Sequence, residues 1–508
     1  MGRRIRLLGI ALILCFALIL VQLVNIQYHR AHALATSPSN PRNALAKFQN
    51  DRGIIYASDG TTVLAYSQST HLPQGQYQYS RVYPGKSLYA GITGYSSIIY
   101  GNSGIEEQYD SYLASHPQQA TTLGQLLNPP PPTTDNVRLT IKPNLQQVAA
   151  TALAGRDGAV VAIQPTTGAV EALYSNPTYD PNGFGSVDPK TQFESALAAN
   201  QPDPQGFIPS ATLATEHTFP PGSTSKVVTT SAVFNLLPAL VNYNVPSYEC
   251  APLPDTNKCL GSGSGQACGG TVTQPSMLPE SCDPGYGLLG LKIFQTNANV
   301  LTKQAELYGY NQVPPLDLPD VKASVYPTRN QFLETGLPFV AYAAIGQGNV
   351  QTTALQNAMI AGGVANGGVV MVPHLLEDIH DAQGNLVQSF QPVPWMRALT
   401  QKAAAQITPL MQAVAQYGTA AGCLNLNLRP AVKTGTAQVG NAVNNTDDWM
   451  IGFAPANDPQ IAVAVVVPYQ AKSATGATVA GPIMNAMLQA AVGADVGSNA
   501  PTYQGSCQ

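Results

Sequence analysis

The chain has 508 residues, of which 10% are charged, and a formal net charge of -4. That length calls for about two or three domains, and so few basic residues argue against a nucleic-acid partner. Despite 45 glycines and 41 prolines, 44% hydrophobic residues supply ample material for a core.

In chain order, Arg3, Arg4 and Arg6 come first. They precede an apolar run, 7–26, whose only polar members are Gln22 and Asn25. About twenty such residues cross a bilayer as a helix, and the arginines favour a cytoplasmic tail, 1–6. Ala31-His32-Ala33 and Ala33-Leu34-Ala35 have the small-x-small form of a cleavage site. The run is nevertheless longer than the roughly 7–15 residues of a signal-peptide core, so an uncleaved anchor is expected. No second run of that length follows, and the remaining chain is expected outside the membrane, with the plasma membrane as the site.

Residues 52–56 and 61–65 flank Ser58-Asp59-Gly60, a hairpin signature. Pro129 to Pro132 form a stiff polyproline step suited to a domain boundary. Beyond it, 137–141 alternates as a strand, and Pro143 opens a helix with Leu145, Val148, Ala149, Ala152 and Leu153 on one face. Residues 159–163 and 169–173 form a second hairpin around Pro165-Thr166-Thr167-Gly168. The pattern predicts a sheet with helices packed on it.

His217-Thr218-Phe219-Pro220-Pro221-Gly222 then ends an irregular segment, and 223–237 reads as a buried helix. Ser223 and Lys226 fall on one face of its first turn, with Cβ atoms about 5–6 Å apart. A serine there lies near unsatisfied N–H groups, and a desolvated lysine loses proton affinity and can serve as its base. Cys250, Cys259, Cys268 and Cys282 lie in a Gly/Pro/Ser-rich stretch without Cys-x-x-Cys spacing. They read as two disulfides of an exported loop rather than a zinc site, with three pairings open. Cys423 and Cys507 form a further bond or stay free. Late in the chain, Lys433, Thr434 and Thr436 in a glycine-opened strand offer one cation and two hydroxyls to a carboxylate, and Gly435 lets a ligand backbone approach.

Ser223-x-x-Lys226 followed about two hundred residues later by Lys433-Thr434-Gly435 resembles the signature of penicillin-binding proteins and serine β-lactamases. Arg52-Gly53 with Asp59-Gly60, Ser103-Gly104-Ile105-Glu106, 176–182, Ile345-Gly346-Gln347-Gly348, 365–368 and Gly452-Phe453-Ala454-Pro455 extend the likeness to the monofunctional class B group. The greatest similarity is to the actinobacterial penicillin-binding protein A type. The resemblance implies an α+β penicillin-binding transpeptidase fold: an antiparallel sheet flanked by helices, an all-helical part, a membrane anchor and a smaller β-rich pedestal. The implied division is a pedestal or dimerisation-type domain at 27–135, a transpeptidase domain at 136–493 and a tail at 494–508.

It also implies a peptidoglycan D,D-transpeptidase that needs neither metal nor cofactor. Ser223, deprotonated by Lys226, would attack the D-Ala–D-Ala carbonyl of a stem peptide. The backbone N–H groups of Ser223 and Thr436 would hold the oxyanion, and Lys433, Thr434, Gly435 and Thr436 would bind substrate. β-Lactam antibiotics would acylate the same serine, and a polytopic glycosyltransferase of the elongation or division machinery is the implied protein partner. A Ser-His-Asp triad finds little support, since His217 alone of the 7 histidines lies near a matched motif.

The family's third motif, Ser-x-Asn, is expected between the other two. The best match is Phe294-Gln295-Thr296-Asn297-Ala298-Asn299-Val300, with Asn299 as the asparagine and Asn297 where serine is expected. Shifted two residues, Gln295-Thr296-Asn297 is the match. Either register lacks the serine hydroxyl and predicts slow acylation, with Thr296 as a neighbouring hydroxyl. A β-lactam-binding protein with little turnover, and a D,D-carboxypeptidase or β-lactamase, are the alternatives.

Overall fold

The computed structural model describes residues 2–30, 48–73, 77–116, 124, 127–128, 132–246, 248–261, 268, 271–440, 445–493 and 507. Both small-x-small sites and most of the polyproline step lie outside these residues. Helix α1 (Gly2–Val24) leads the chain, and 6–28 is long and apolar enough to cross a membrane, with no part of its most apolar stretch covered by the rest of the protein.

The first sheet contains β1 (Ile55–Tyr56), β2 (Val63–Ser69), β3 (Tyr79–Val82) and β4 (Asn136–Leu139). The second begins with β5 (Gly158–Ile163) and β6 (Val170–Asn176). Strands β7 (Leu376–His380) and β8 (Leu386–Ser389) return to the first sheet, giving the order β8-β7-β4-β1-β2-β3. That sheet therefore draws strands from both sides of residue 135. Arg138 on β4 is paired with Asp378 on β7. Beside β1, the buried Glu106 carboxylate accepts from Arg52 Nε and Arg81 Nε, each at 2.6 Å, and Arg52 also reaches Asp110. Burial alone would penalise the Glu106 charge, but the two guanidiniums outweigh it and hold its pKa below the ordinary value.

Strands β9 (Ala431–Val439), β10 (Asn445–Ala454) and β11 (Ile461–Ala471) complete the second sheet in the order β9-β10-β11-β5-β6, antiparallel throughout. Its side chains alternate between two cores. Val160, Ala162, Val463 and Val465 face α2 (Pro143–Leu153) and the C-terminal helix 476–492. Val161, Ile163, Ala462 and Ala464 face the opposite core, where Ile163 and Ala462 abut Gly362 of helix 354–365. Burying an aliphatic side chain of this kind stabilises by about 1.5–3 kcal/mol, which fixes the register that aligns β9 with the nucleophile turn. The two hairpins and the helix opening at Pro143 follow the sequence pattern. Cys250–Cys259 and Cys268–Cys282 are the cluster's two disulfides, and Cys423 is bonded to Cys507.

Candidate active site

Gly222–Ser225 forms a 3₁₀ turn that runs directly into α3 (Lys226–Ser231). Ser223 is half-buried at this helical start, and Lys226 one turn on is 0% exposed. Two glycines let the turn sit where it does. Gly222 has φ +53°, and a Cβ there would come within 3.0 Å of the Ala437 nitrogen. Gly346 has φ +74°, its carbonyl accepts from Gly222 N at 2.9 Å, and a Cβ on it would lie 2.1 Å from the Gly222 carbonyl oxygen. The Gly346 segment and β9 thus clamp the Ser223 turn from two sides.

Strand β9 carries Lys433, also 0% exposed, and pairs Gly435 with Trp449 and Thr436 with Asp448 of β10. A side chain at Gly435 would strike the Pro221 carbonyl oxygen and the Thr224 methyl, both at 2.9 Å. Thr434 shares a 2.6 Å hydroxyl–hydroxyl bond with Thr419, and exposed Thr436 accepts from Gly476 N at 3.0 Å.

The third contributor is Ser281. Helix α4 (Gln274–Glu280) ends at Ser281, which adopts the left-handed conformation (φ +57°, ψ 42°), and α5 (Asp283–Thr296) starts two residues later. Lys226 Nζ donates to the Ser281 carbonyl at 2.7 Å, to Ser281 Oγ at 3.0 Å and to the Asp283 carboxylate. Lys433 Nζ lies 2.9 Å from the same Ser281 Oγ and 3.0 Å from the Thr434 carbonyl. A single hydroxyl therefore bridges two buried amines. An ammonium has three N–H donors and no acceptor, so the three acceptors around Lys226 suit its protonated form at rest, and the amine must lose that proton before it can act as a base.

Burial pulls the Lys226 pKa down, and the charge and hydrogen bond of Asp283 partly restore it. Lys433 is pushed well below the ordinary lysine value by burial and then by the Lys226 charge, with Asp283 opposing. Lys226 also lies 5.4 Å from the Tyr286 ring centroid. On β10, Asp448 is buried beside Thr436, and its pKa is raised to about 7 by desolvation.

Of the residues singled out in the sequence, the structure brings Ser223, Lys226, Lys433, Thr434, Gly435 and Thr436 together. It does not bring Thr296, Asn297 or Asn299. They lie at the far end of α5, about 20 Å along the helix from Asp283 at 1.5 Å per residue. Thr296 is exposed and donates to the Lys292 carbonyl at 2.8 Å, while exposed Asn297 accepts from Asn299 N at 3.0 Å. Both registers of the expected motif, including Gln295, therefore point away from the cleft. The residues missed are Ser281 and Asp283. Their signal was present as Ser281-Cys282-Asp283, a Ser-x-Asn form with aspartate for asparagine, followed by Pro284 at a helix start. The cysteine between them belongs to the disulfide cluster.

This fold and this triple junction define a serine acyl-transfer enzyme of the penicillin-binding class. Residues 158–489 match the penicillin binding protein transpeptidase domain, and the chain belongs to that family. Residues 52–129 match the penicillin binding protein A dimerisation domain. The peptidoglycan D,D-transpeptidase PbpA of Mycolicibacterium smegmatis is 34% identical, covering 97% of this chain and 99% of the relative. Its namesake from Mycobacterium tuberculosis is 31% identical over 97% of this chain and 99% of its own. The ceftriaxone acyl-enzyme complex of M. tuberculosis penicillin-binding protein A superposes with a TM-score of 0.77 at 32% identity, covering 88% of this chain and 100% of the other.

Proposed function

We propose that the chain is a serine peptidoglycan D,D-transpeptidase that cross-links stem peptides through a Ser223 acyl-enzyme and is acylated by β-lactams at the same residue. The observation that carries this reading is the Ser281 hydroxyl held between Lys226 and Lys433 beside the Ser223 turn. Ser223 Oγ attacks the penultimate D-Ala carbonyl and passes its proton to the neutral amine of Lys226. The carbonyl oxygen takes the negative charge, and the N–H groups of Ser223 and Thr436 stabilise it; one such donor contributes about a hundredfold to a thousandfold in rate. As the C–N bond breaks, the leaving D-Ala amine receives a proton from Lys226 through Ser281. An amine of a second stem peptide then attacks the ester, and Ser223 regains its proton.

Lys433, Thr434 and Thr436 line the carboxylate side of the cleft, and Gly435 keeps the strand open to the donor peptide. Ser281 supplies between the two lysines the hydroxyl that neither register at 295–299 offers, which favours turnover over a protein that only binds β-lactams. The N-terminal helix anchors the chain once in the plasma membrane with the catalytic part outside the cytoplasm. A pedestal at 27–135, a transpeptidase domain at 136–493 and a tail at 494–508 complete the organisation. A polytopic glycosyltransferase supplies the nascent glycan strands.

The test is twofold. Mass spectrometry after penicillin treatment is expected to find the adduct on the Ser223 peptide and none in Ser223→Ala; an adduct on Ser225 would refute the assignment. With lipid-linked substrate polymerised by a glycosyltransferase, the product is expected to be a cross-linked dimer. Release of D-Ala without cross-linking would instead identify a carboxypeptidase.

A further inference from the structure

The residue between Ser281 and Asp283 is Cys282, 1% exposed and covalently bound to Cys268. We infer that the Cys268–Cys282 disulfide is a positioning bond of the catalytic centre, holding the Ser281 hydroxyl and the Asp283 carboxylate at the two lysines. The inference rests on the proposed role of the Ser281 junction.

Ser281 and Cys282 are the only residues joining α4 to α5. Ser281 sits in a left-handed conformation that side chains other than glycine rarely adopt, so the surrounding structure must hold it there. The holding contacts converge on Cys282. Its N–H donates to the Met277 carbonyl at 3.1 Å, and its carbonyl accepts from Tyr286 N at 3.0 Å. Its sulfur lies under the first turn of α5, where a Cβ on Gly285 would come within 2.9 Å of Cys282 Sγ and 2.4 Å of Met277 Sδ. Any larger residue at 285 would displace the sulfur.

At the other end of the bond, Cys268 precedes Thr271–Val272, a strand paired with Val245–Pro246. The second disulfide acts on the same helix at one remove. It closes the hairpin of Cys250–Pro252 and Cys259–Gly261, whose Leu260 abuts Gly287 on α5. The Cys268 bond meets the motif itself, whereas the Cys250 bond meets α5 one turn further on. Cys268 is half-buried, so a dithiol reductant can reach the bond. Exchange would break one S–S bond, oxidise the dithiol to its own disulfide and leave Cys268 and Cys282 as thiols. The Ser281 turn would then be free to relax, while Cys423–Cys507 lies in the core on the other face of the second sheet.

The experiment uses the full chain in detergent and reads single-turnover acylation by a fluorescent penicillin, separating the pre-covalent binding constant from the acylation rate constant. Cys268→Ser is expected to lower the rate constant by about tenfold to a hundredfold, the scale of a misplacement of about 1 Å. The binding constant should change far less, at a temperature well below the melting transition. Reducing folded wild type with dithiothreitol, which also acts on Cys423–Cys507, should reproduce the loss, reoxidation should reverse it, and unreduced Cys423→Ser/Cys507→Ser should keep the wild-type rate constant. This arm decides the matter if the variant does not fold. Cys250→Ser/Cys259→Ser reports on general loosening of the module.

A rate constant within about twofold of wild type in reduced protein overturns the inference. So does an equal loss in the hairpin variant. Ser281→Ala separates the two levels: normal acylation in it would refute the catalytic reading, whereas slow acylation in it with normal reduced wild type would refute the positioning bond alone.

Discussion

Asp283→Asn keeps the shape of the side chain at the Lys226 amine and removes its charge. In the native site two effects oppose each other at Lys226: burial lowers its proton affinity, and the Asp283 carboxylate raises it. The amine is fully buried and the Asp283 side chain is 21% exposed, so water screens the pair only in part. An opposite charge at contact typically moves a pKa by about 1–3 units, each unit corresponding to about 1.4 kcal/mol. Removing it leaves the lowering effect unopposed. Because the free amine is the base in the proposed mechanism, the rising limb of acylation against pH should move to lower pH by about 1–3 units. The assay is the acylation rate constant for a fluorescent penicillin across a pH series, with wild type alongside. A midpoint that stays in place, or moves upward, would refute the argument that Asp283 sets the protonation of Lys226.

Three further outcomes are expected. Ser281→Ala should slow acylation by about a hundredfold to ten-thousandfold, the range for general acid–base assistance, while Asn297→Ser and Asn299→Ala should leave the rate constant near wild type in the same measurement. Glu106→Ala leaves the Arg52 and Arg81 guanidiniums buried without their shared carboxylate. It should cost about 3–5 kcal/mol, read from denaturant unfolding of the full chain in detergent. Asp448 has a folded pKa raised to about 7, so its share of stability is complete below the ordinary carboxylate value of 3.8 and is lost as pH rises toward 7. Asp448→Asn should therefore raise the melting temperature more at pH 8 than at pH 5, and the reverse ordering would contradict the sign.

The sequence was most informative where structure depends on neighbours along the chain. The apolar runs at 159–163 and 460–467 appear as the buried strands β5 and β11, and Pro143 opens α2 as its fixed φ favours. Ser223 and Lys226 were legible because one helical turn sets their spacing. The Ser281 contact is of another kind. Its hydroxyl meets a lysine 55 residues away and another 152 residues away, and its conformation is set by tertiary contacts rather than by residue type. Locally the two stretches compete: Ser281-x-Asp283 has the serine but not the asparagine, and 295–299 has asparagines but no serine. The pairing of β4 with β7 was equally hidden, because Arg138 and Asp378 are 240 residues apart. The same distance hides the fact that the pedestal sheet borrows strands from the far side of the proposed boundary.

That borrowing has a consequence for synthesis. Chains emerge N-terminus first, and a unit can complete itself only when its last strand has left the ribosome. Strands β1 to β4 are all made by residue 139, yet β4 keeps an open edge until 376–380 arrives to pair with it. An exposed edge is a template for pairing with other chains. During that interval most of the second lobe is being made, including the Ser223 turn, so a nascent chain would acquire its nucleophile before its base is closed. A fragment ending before residue 376 would carry the same open edge permanently and should self-associate, however well its first four strands are formed.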